Sequence, residues 1–213
     1  MRSRALLITA ALAASAAFLP AKPFEGVLTY EIRQGGEPQE ITFTVKGPKM
    51  AFQTPVAGGG KVLLDRDSEK ATVLMPEQRM YMEVPAQRVA ENVGKTPSGT
   101  FEVTDETREI LGYTTRKVVY TDGAERSELW ITDEVGSFQP VDGPLAGEIP
   151  AALKEAFPDG GMPLEVKSAG PDGLMTMTVV DLEEKTLPDS EFEVPAGYRP
   201  LNMGGMQLPG MGQ

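Results

Sequence analysis

Eleven methionines stand in a 213-residue chain that has neither cysteine nor histidine. Two pairs of them are spaced one residue apart, Met80 and Met82 in "RMYMEV" and Met175 and Met177 in "LMTMTVV". Thioether sulfur is a soft ligand that selects Cu(I), and in a strand two side chains at this spacing point to the same face. A copper site is therefore one reading of the pattern. Against it, no histidine supplies a second ligand type, and alternate methionines on a strand also suit an adaptable apolar lining. Plain core filling needs no ligand at all.

The carboxylates are the other groups able to do chemistry. Asp65 and Asp67 in "DRDSE", and Glu183 with Glu184, are close enough in sequence for acid–base work. The first pair flanks a hairpin turn of the kind that favours Asp, and the second ends a strand in water. "DRDSE" also lacks the glycine and the spaced terminal glutamate of an EF-hand loop. Nucleophilic catalysis of the Ser-His-Asp or Cys-His kind is excluded by the missing residue types. The expectation is a protein that is not an enzyme, with no cofactor and no resident metal.

Strands must position these side chains. In "FEGVLTYEIR" Leu28, Tyr30 and Ile32 alternate with polar residues, as a half-buried strand requires. "ITFTVKG", "KMAFQ", "KVLLDR", "KATVLM" and "RMYMEV" continue the pattern as a six-stranded antiparallel meander. A turn at Gly47 and Pro48 sets Val45 against Met50 and Phe43 against Phe52. A turn at Asp67 and Ser68 sets Leu64 against Ala71 and Val62 against Val73. A turn centred on Glu77 and Gln78, with Pro76 pre-setting the bend, sets Met75 against Met80, Val73 against Met82 and Ala71 against Val84. The apolar stripe then runs unbroken, because a slip of one residue would send every side chain to the other face. The reverse face, with Thr72, Leu74, Tyr81 and Glu83, is mixed.

Further strands are expected at Phe101–Val103, Ile110–Tyr120, Ser127–Thr132, "PLEVKSA" and "LMTMTVVDLEE", with "SEFEVPAGY" as a final extended segment. "PAQRVAENV" suits a short helix. "LAGEIPAALKEAF" places Ile149, Leu153, Ala156 and Phe157 on one helical face. About ten strands and one or two helices make the fold mainly β (α+β). A flat sheet of that size cannot be covered by so few helices, so a curved antiparallel sheet is expected, an open half-barrel with the helices packed in its concave side.

"MRSRALLITAALAASAAFLP" has a cationic start, a short apolar run and small residues suited to signal peptidase. Residues 1–16 read as a signal peptide, with cleavage after Ala16 or as late as Ala21, and the mature protein is expected in the periplasm. With no cysteine there is no lipobox to acylate, and the apolar run is short for a bilayer span, so no stable membrane anchor is expected. Without residues 1–16 the chain has 18 Lys and Arg against 31 Asp and Glu, a net charge of −13. Such a surface repels nucleic acid and anionic headgroups over most of its area. Residues 22–200 form the expected single half-barrel domain, and 201–213 a disordered Met/Gly-rich tail.

The stretches "FEGVLTYEI", "VKGPKM", "LLDRDSEKATVLMPEQRMYMEV", "ILGYTTRKVVY", "ELWITDEVG", "GMPLEV" and "FEVPAGY", in this order from Phe24 to Tyr198, resemble an exported bacterial family of domains of unknown function, DUF4412. The resemblance implies the architecture of the lipoprotein carriers LolA and LolB: an open antiparallel half-barrel with helices in its mouth and a cavity for acyl chains. The chain departs from those carriers in that no arginine can be matched to the one with which LolA locks its lid. The resemblance implies a fold and a compartment, and no established activity.

These readings converge on a non-catalytic periplasmic binding module for an apolar ligand such as a lipid or lipoprotein acyl chain. The candidate lining is Phe43, Met50, Phe52, Val73, Met75, Met80, Met82, Leu153 and Phe157. The expected partners are a lipid or acylated protein, or an envelope protein. The alternative function is an envelope protein–protein interaction or stress-sensor module with a packed core and no ligand, and the third is methionine-based copper binding.

Overall fold

The computed structural model describes residues 23–53, 60–68, 70–85, 99–123, 125–138, 151–170 and 173–201. The proposed signal peptide, the segment assigned to the first short helix after Pro85, and the tail from residue 202 lie outside these residues.

One twelve-stranded sheet takes in every strand described. The first six are β1 (Glu25–Gln34), β2 (Gln39–Lys46), β3 (Lys49–Gln53), β4 (Lys61–Asp65), β5 (Lys70–Met75) and β6 (Met80–Pro85). They form the expected meander, and the register matches the turn arithmetic. Val45 pairs with Met50 and Phe43 with Phe52; Val62 pairs with Val73 and Leu64 with Ala71; Met75 pairs with Met80, Val73 with Met82 and Ala71 with Val84. The Asp65 carboxylate accepts the backbone N–H groups of Asp67 and Ser68 at 3.0 and 3.4 Å. It acts as the side-chain brace of a turn, which is why Asp is used there.

Then follow β7 (Thr100–Ile110), β8 (Tyr113–Asp122), β9 (Glu125–Thr132), helix α1 (Ala151–Ala156), β10 (Met162–Gly170), β11 (Gly173–Glu184), a 3₁₀ turn at Asp189–Phe192, and β12 (Arg199–Pro200). β1 to β11 answer to the segments read as about ten strands, and the chain after β11 adds a twelfth at the edge. β7 is also longer than Phe101–Val103. A register shift between Val103 and Thr107 breaks its alternation, and the turn into β8 falls at Leu111–Gly112, where both residues have positive φ. The described helix covers Ala151–Ala156 of the expected one, and Ile149 lies outside the described residues.

The order across the sheet is β12-β6-β5-β4-β3-β2-β1-β11-β10-β9-β8-β7, and the sheet does not close. β1 therefore sits between its hairpin partner β2 and the distant β11, joining the meander to the second half. Gly26 lies at that seam, where a Cβ would collide with the Glu183 carbonyl. The meander pairs are antiparallel, as short hairpins require, whereas β12 lies parallel to β6.

Burial divides into three clusters. The largest contains Phe24, Leu28, Tyr30, Phe43, Val45, Met50 and Leu64, joined by Val135 and Phe138 from the segment after β9. The Tyr30 hydroxyl donates to the Pro163 carbonyl at 2.7 Å, next to a register shift in β10. Its ring meets Phe43 edge-on at 6.0 Å and stacks on Phe138 at 6.4 Å. The second cluster sets Leu153 and Phe157 against Val118, Leu129, Ile131 and Val166. The third lies on the reverse face of the meander and joins Ala51, Leu63 and Leu74 to Tyr81, Phe192, Val194 and Tyr198.

Candidate ligand-binding face

Register places the candidate residues on one face in rows that run across the strands. Val45, Met50, Leu64 and Ala71 stand opposite one another in turn, and all four are buried. One row along, Leu28, Phe43, Phe52, Val62, Val73 and Met82 are cross-strand neighbours from β1 to β6. In that row Leu28 is wholly buried, whereas Phe52, Val73 and Met82 are partly exposed. The last row is Met75 opposite Met80, both partly exposed. Burial thus fades in two directions toward one corner, built of Val73, Met75, Met80 and Met82. None of these four belongs to a buried cluster.

The nine candidates therefore separate into three groups. Phe43 and Met50 are core, and Phe52 packs on that core with its ring 5.3 Å from Phe43. Leu153 and Phe157 belong to the second cluster, over the β8–β10 end of the sheet. The four corner residues make up the third group. Among the described residues, the cluster that holds Leu153 and Phe157 takes in Met177 of β11 but none of Met75, Met80 and Met82. Amphipathicity gives the helix an apolar side, but it does not say which part of a twelve-stranded face receives it.

The reverse face of the same strands is closed by a strap that the sequence marked only as extended. Phe192, Val194 and Tyr198 pack on Ala51, Leu63, Leu74 and Tyr81. Lys46 ties the strap down, donating to the Leu187 carbonyl at 2.7 Å and pairing with Asp189 at 3.1 Å. The hydrogen bond from Lys46, then the charges of Lys46 and Lys49, hold the Asp189 carboxyl below its ordinary range. Beyond the strap, Arg199 donates its N–H to the Arg79 carbonyl at 3.0 Å, and Leu201, placed with the tail on sequence, donates to the Tyr81 carbonyl at 2.7 Å. The signal was present in the alternation of Phe192 and Val194 and in Leu74 on the "mixed" face, although neither alone names its partner.

Strong electrostatics lies elsewhere, on β7 to β10. Arg108 sits 4.0 Å over the Trp130 ring and pairs with Glu165, which also meets Lys167 at 3.0 Å. Partial burial pushes the Glu165 carboxyl up, but hydrogen bonds and charges from Lys167 and Arg108 outweigh it and leave it below its ordinary value. Of the acid pairs weighed on sequence, Asp65 is the turn brace and Glu183 pairs with Lys185. Among the described residues, no group of three or more carboxylates is placed to hold a metal ion. No described helix is long and apolar enough to cross a membrane.

A family model described as a domain of unknown function (DUF4412) matches residues 24–198. The chain belongs to this family. No curated protein matches the chain. Among solved structures, PNGF-II is similar at 15% identity and a TM-score of 0.44, over 82% of this chain and 30% of that one. MucB in complex with MucA(peri) is similar at 10% identity and a TM-score of 0.46, over 81% of this chain and 54% of that one. A DUF1329 family protein from Desulfovibrio piger is similar at 10% identity and a TM-score of 0.27, over 79% of this chain and 88% of that one. The DUF4412 chain thus spans under a third of PNGF-II and just over half of MucB.

Proposed function

We propose that this DUF4412 chain is a non-catalytic binding module of the periplasm that holds an apolar ligand, such as a lipid or lipoprotein acyl chain, at the Val73, Met75, Met80 and Met82 corner. The observation that carries this reading is the fading burial along one continuous apolar face: fully packed at Leu28 and partly exposed at Met82. Its finer form is a half-barrel, in which the sheet curls so that this face is concave and an acyl chain lies along it. The opposite face of the same strands is already covered by the strap, and among the described residues the thioether side is the one that stays partly exposed for a guest.

Shielding supplies the affinity. Each CH₂ moved from water to an apolar surface contributes about 0.8 kcal/mol, so a long chain is held without specific polar contacts. Unbranched, polarisable methionines adapt to a flexible guest better than a β-branched wall would.

The test is binding of Nile red, and extraction of co-purified lipid, from full-length protein and from Val73→Glu and Met82→Glu. Each substitution should weaken the dye by about tenfold or more while the far-UV spectrum is unchanged. Val180→Glu, at an exposed position on β11 away from the corner, should bind like the parent. Equal loss in all three variants, or no dye binding and no extractable lipid in the parent, rejects the proposal.

A further inference from the structure

Two cations stand at the apolar corner of a chain whose net charge is −11. Arg199 is the cross-strand partner of Met80 on β12, and neighbouring residues in register share a sheet face. Arg79, whose carbonyl receives the Arg199 N–H, adjoins it in the Pro76–Arg79 turn. Both side chains are exposed. Elsewhere on the sheet, Lys61 pairs with Glu191, Arg108 with Glu165 and Lys117 with Glu106. Neither Arg79 nor Arg199 has a carboxylate partner among the described residues. Glu77, in the same turn as Arg79, forms no ion pair with either.

An arginine left without a carboxylate in a strongly acidic protein, in register with a partly exposed thioether, is complementary to a molecule with an apolar chain and an anionic end. Guanidinium presents a planar fork that matches a carboxylate or a phosphate with two parallel hydrogen bonds. The anionic end would lie at the sheet edge, and the chain would run inward from Met80 toward Val73 and Phe52.

Resting on the apolar-ligand reading, we infer that the ligand is an anionic amphiphile whose headgroup, a carboxylate or phosphate, is recognised by Arg199 with Arg79 beside it. Two of its features are specific. The headgroup contact adds selectivity for charge, and it is screened by salt because the site is at the surface.

The experiment compares oleate, oleyl alcohol and oleoyl lysophosphatidate as competitors of Nile red on the full chain and on Arg199→Gln and Arg79→Gln/Arg199→Gln. Oleate should bind the parent about three- to tenfold more tightly than the alcohol of the same chain, the range of an exposed to a well-formed charge-assisted contact. That preference should shrink in roughly 0.5 M salt, where the Debye length falls to about 4 Å from about 8 Å at physiological strength, and vanish in the variants while alcohol binding persists. The phosphate-headed competitor shows which anion the arginines favour; tighter binding than the alcohol by either anion supports the inference. Equal affinity of all three competitors for the parent overturns it, as does a preference that survives Arg79→Gln/Arg199→Gln. Failure of every competitor, the neutral alcohol included, instead rejects the apolar-ligand reading itself.

Discussion

Replacing Tyr30 by Phe removes one oxygen from the centre of the largest cluster and leaves the ring where it is. Tyr30 has no solvent exposure, and its hydroxyl donates to the Pro163 carbonyl at 2.7 Å. Loss of the donor leaves that buried carbonyl short of a partner, which costs about 1–3 kcal/mol. The contacts with Phe43 and Phe138 persist in the variant. The pH dependence makes the prediction sharper. Burial raises the Tyr30 phenol well above its ordinary value of 10.0. A group whose folded value is raised stabilises fully below its unfolded value, and that contribution is lost as pH rises toward the folded one. Above pH ~10 the parent should therefore lose about 1.4 kcal/mol per pH unit relative to Tyr30→Phe. A gap of about 2 kcal/mol at neutral pH should close roughly 1.5 pH units above the ordinary tyrosine value. Urea unfolding of both proteins at a series of pH values measures it, because the other tyrosines and the lysines are common to both and cancel. A gap that stays constant through the alkaline range, or one below about 0.5 kcal/mol at neutral pH, refutes the reasoning.

Three further outcomes are expected. Leu111 has φ +53° and is 48% exposed, so Leu111→Asn relieves a left-handed strain before Gly112 and should raise unfolding stability by about 1 kcal/mol in urea; destabilisation would contradict the turn geometry. Phe192→Ala should cost about 1.5–2.5 kcal/mol, roughly half the loss for a fully buried Phe, and leave Nile red binding unchanged because the strap covers the other face. For Glu165, whose folded value is depressed, the stabilisation is present above the ordinary carboxylate range and lost as pH falls through the lower folded value. Glu165→Gln should therefore be less stable than the parent near neutrality, by about 1 kcal/mol given the solvent-screened Arg108, and the two should converge in acid; parallel pH profiles would count against the pairing with Lys167 and Arg108.

The meander was legible in the sequence because its information is local. Alternation with period two assigns each side chain a face, and the turns at Gly47–Pro48, Asp67–Ser68 and Glu77–Gln78 set the register residue by residue. Composition is legible in the same local way: without histidine and cysteine no Ser-His-Asp or Cys-His triad can be built whatever the fold. Tertiary structure alone decided what covers what. A strand pattern shows that Leu74 and Tyr81 share a face, but not that Phe192, Val194 and Tyr198 return from more than a hundred residues away to close it. A helical stripe shows that Leu153 and Phe157 face inward, but not that they meet Val118 and Leu129 instead of Met75 and Met80. Arg199 likewise comes beside Met80 only through the parallel pairing of β12 with β6. Contacts between distant segments depend on the global placement of surfaces of similar polarity, and apolar burial is non-directional. The sequence therefore determined the faces of the sheet, while the folded chain decided which residues became core and, among those described, which stayed partly exposed.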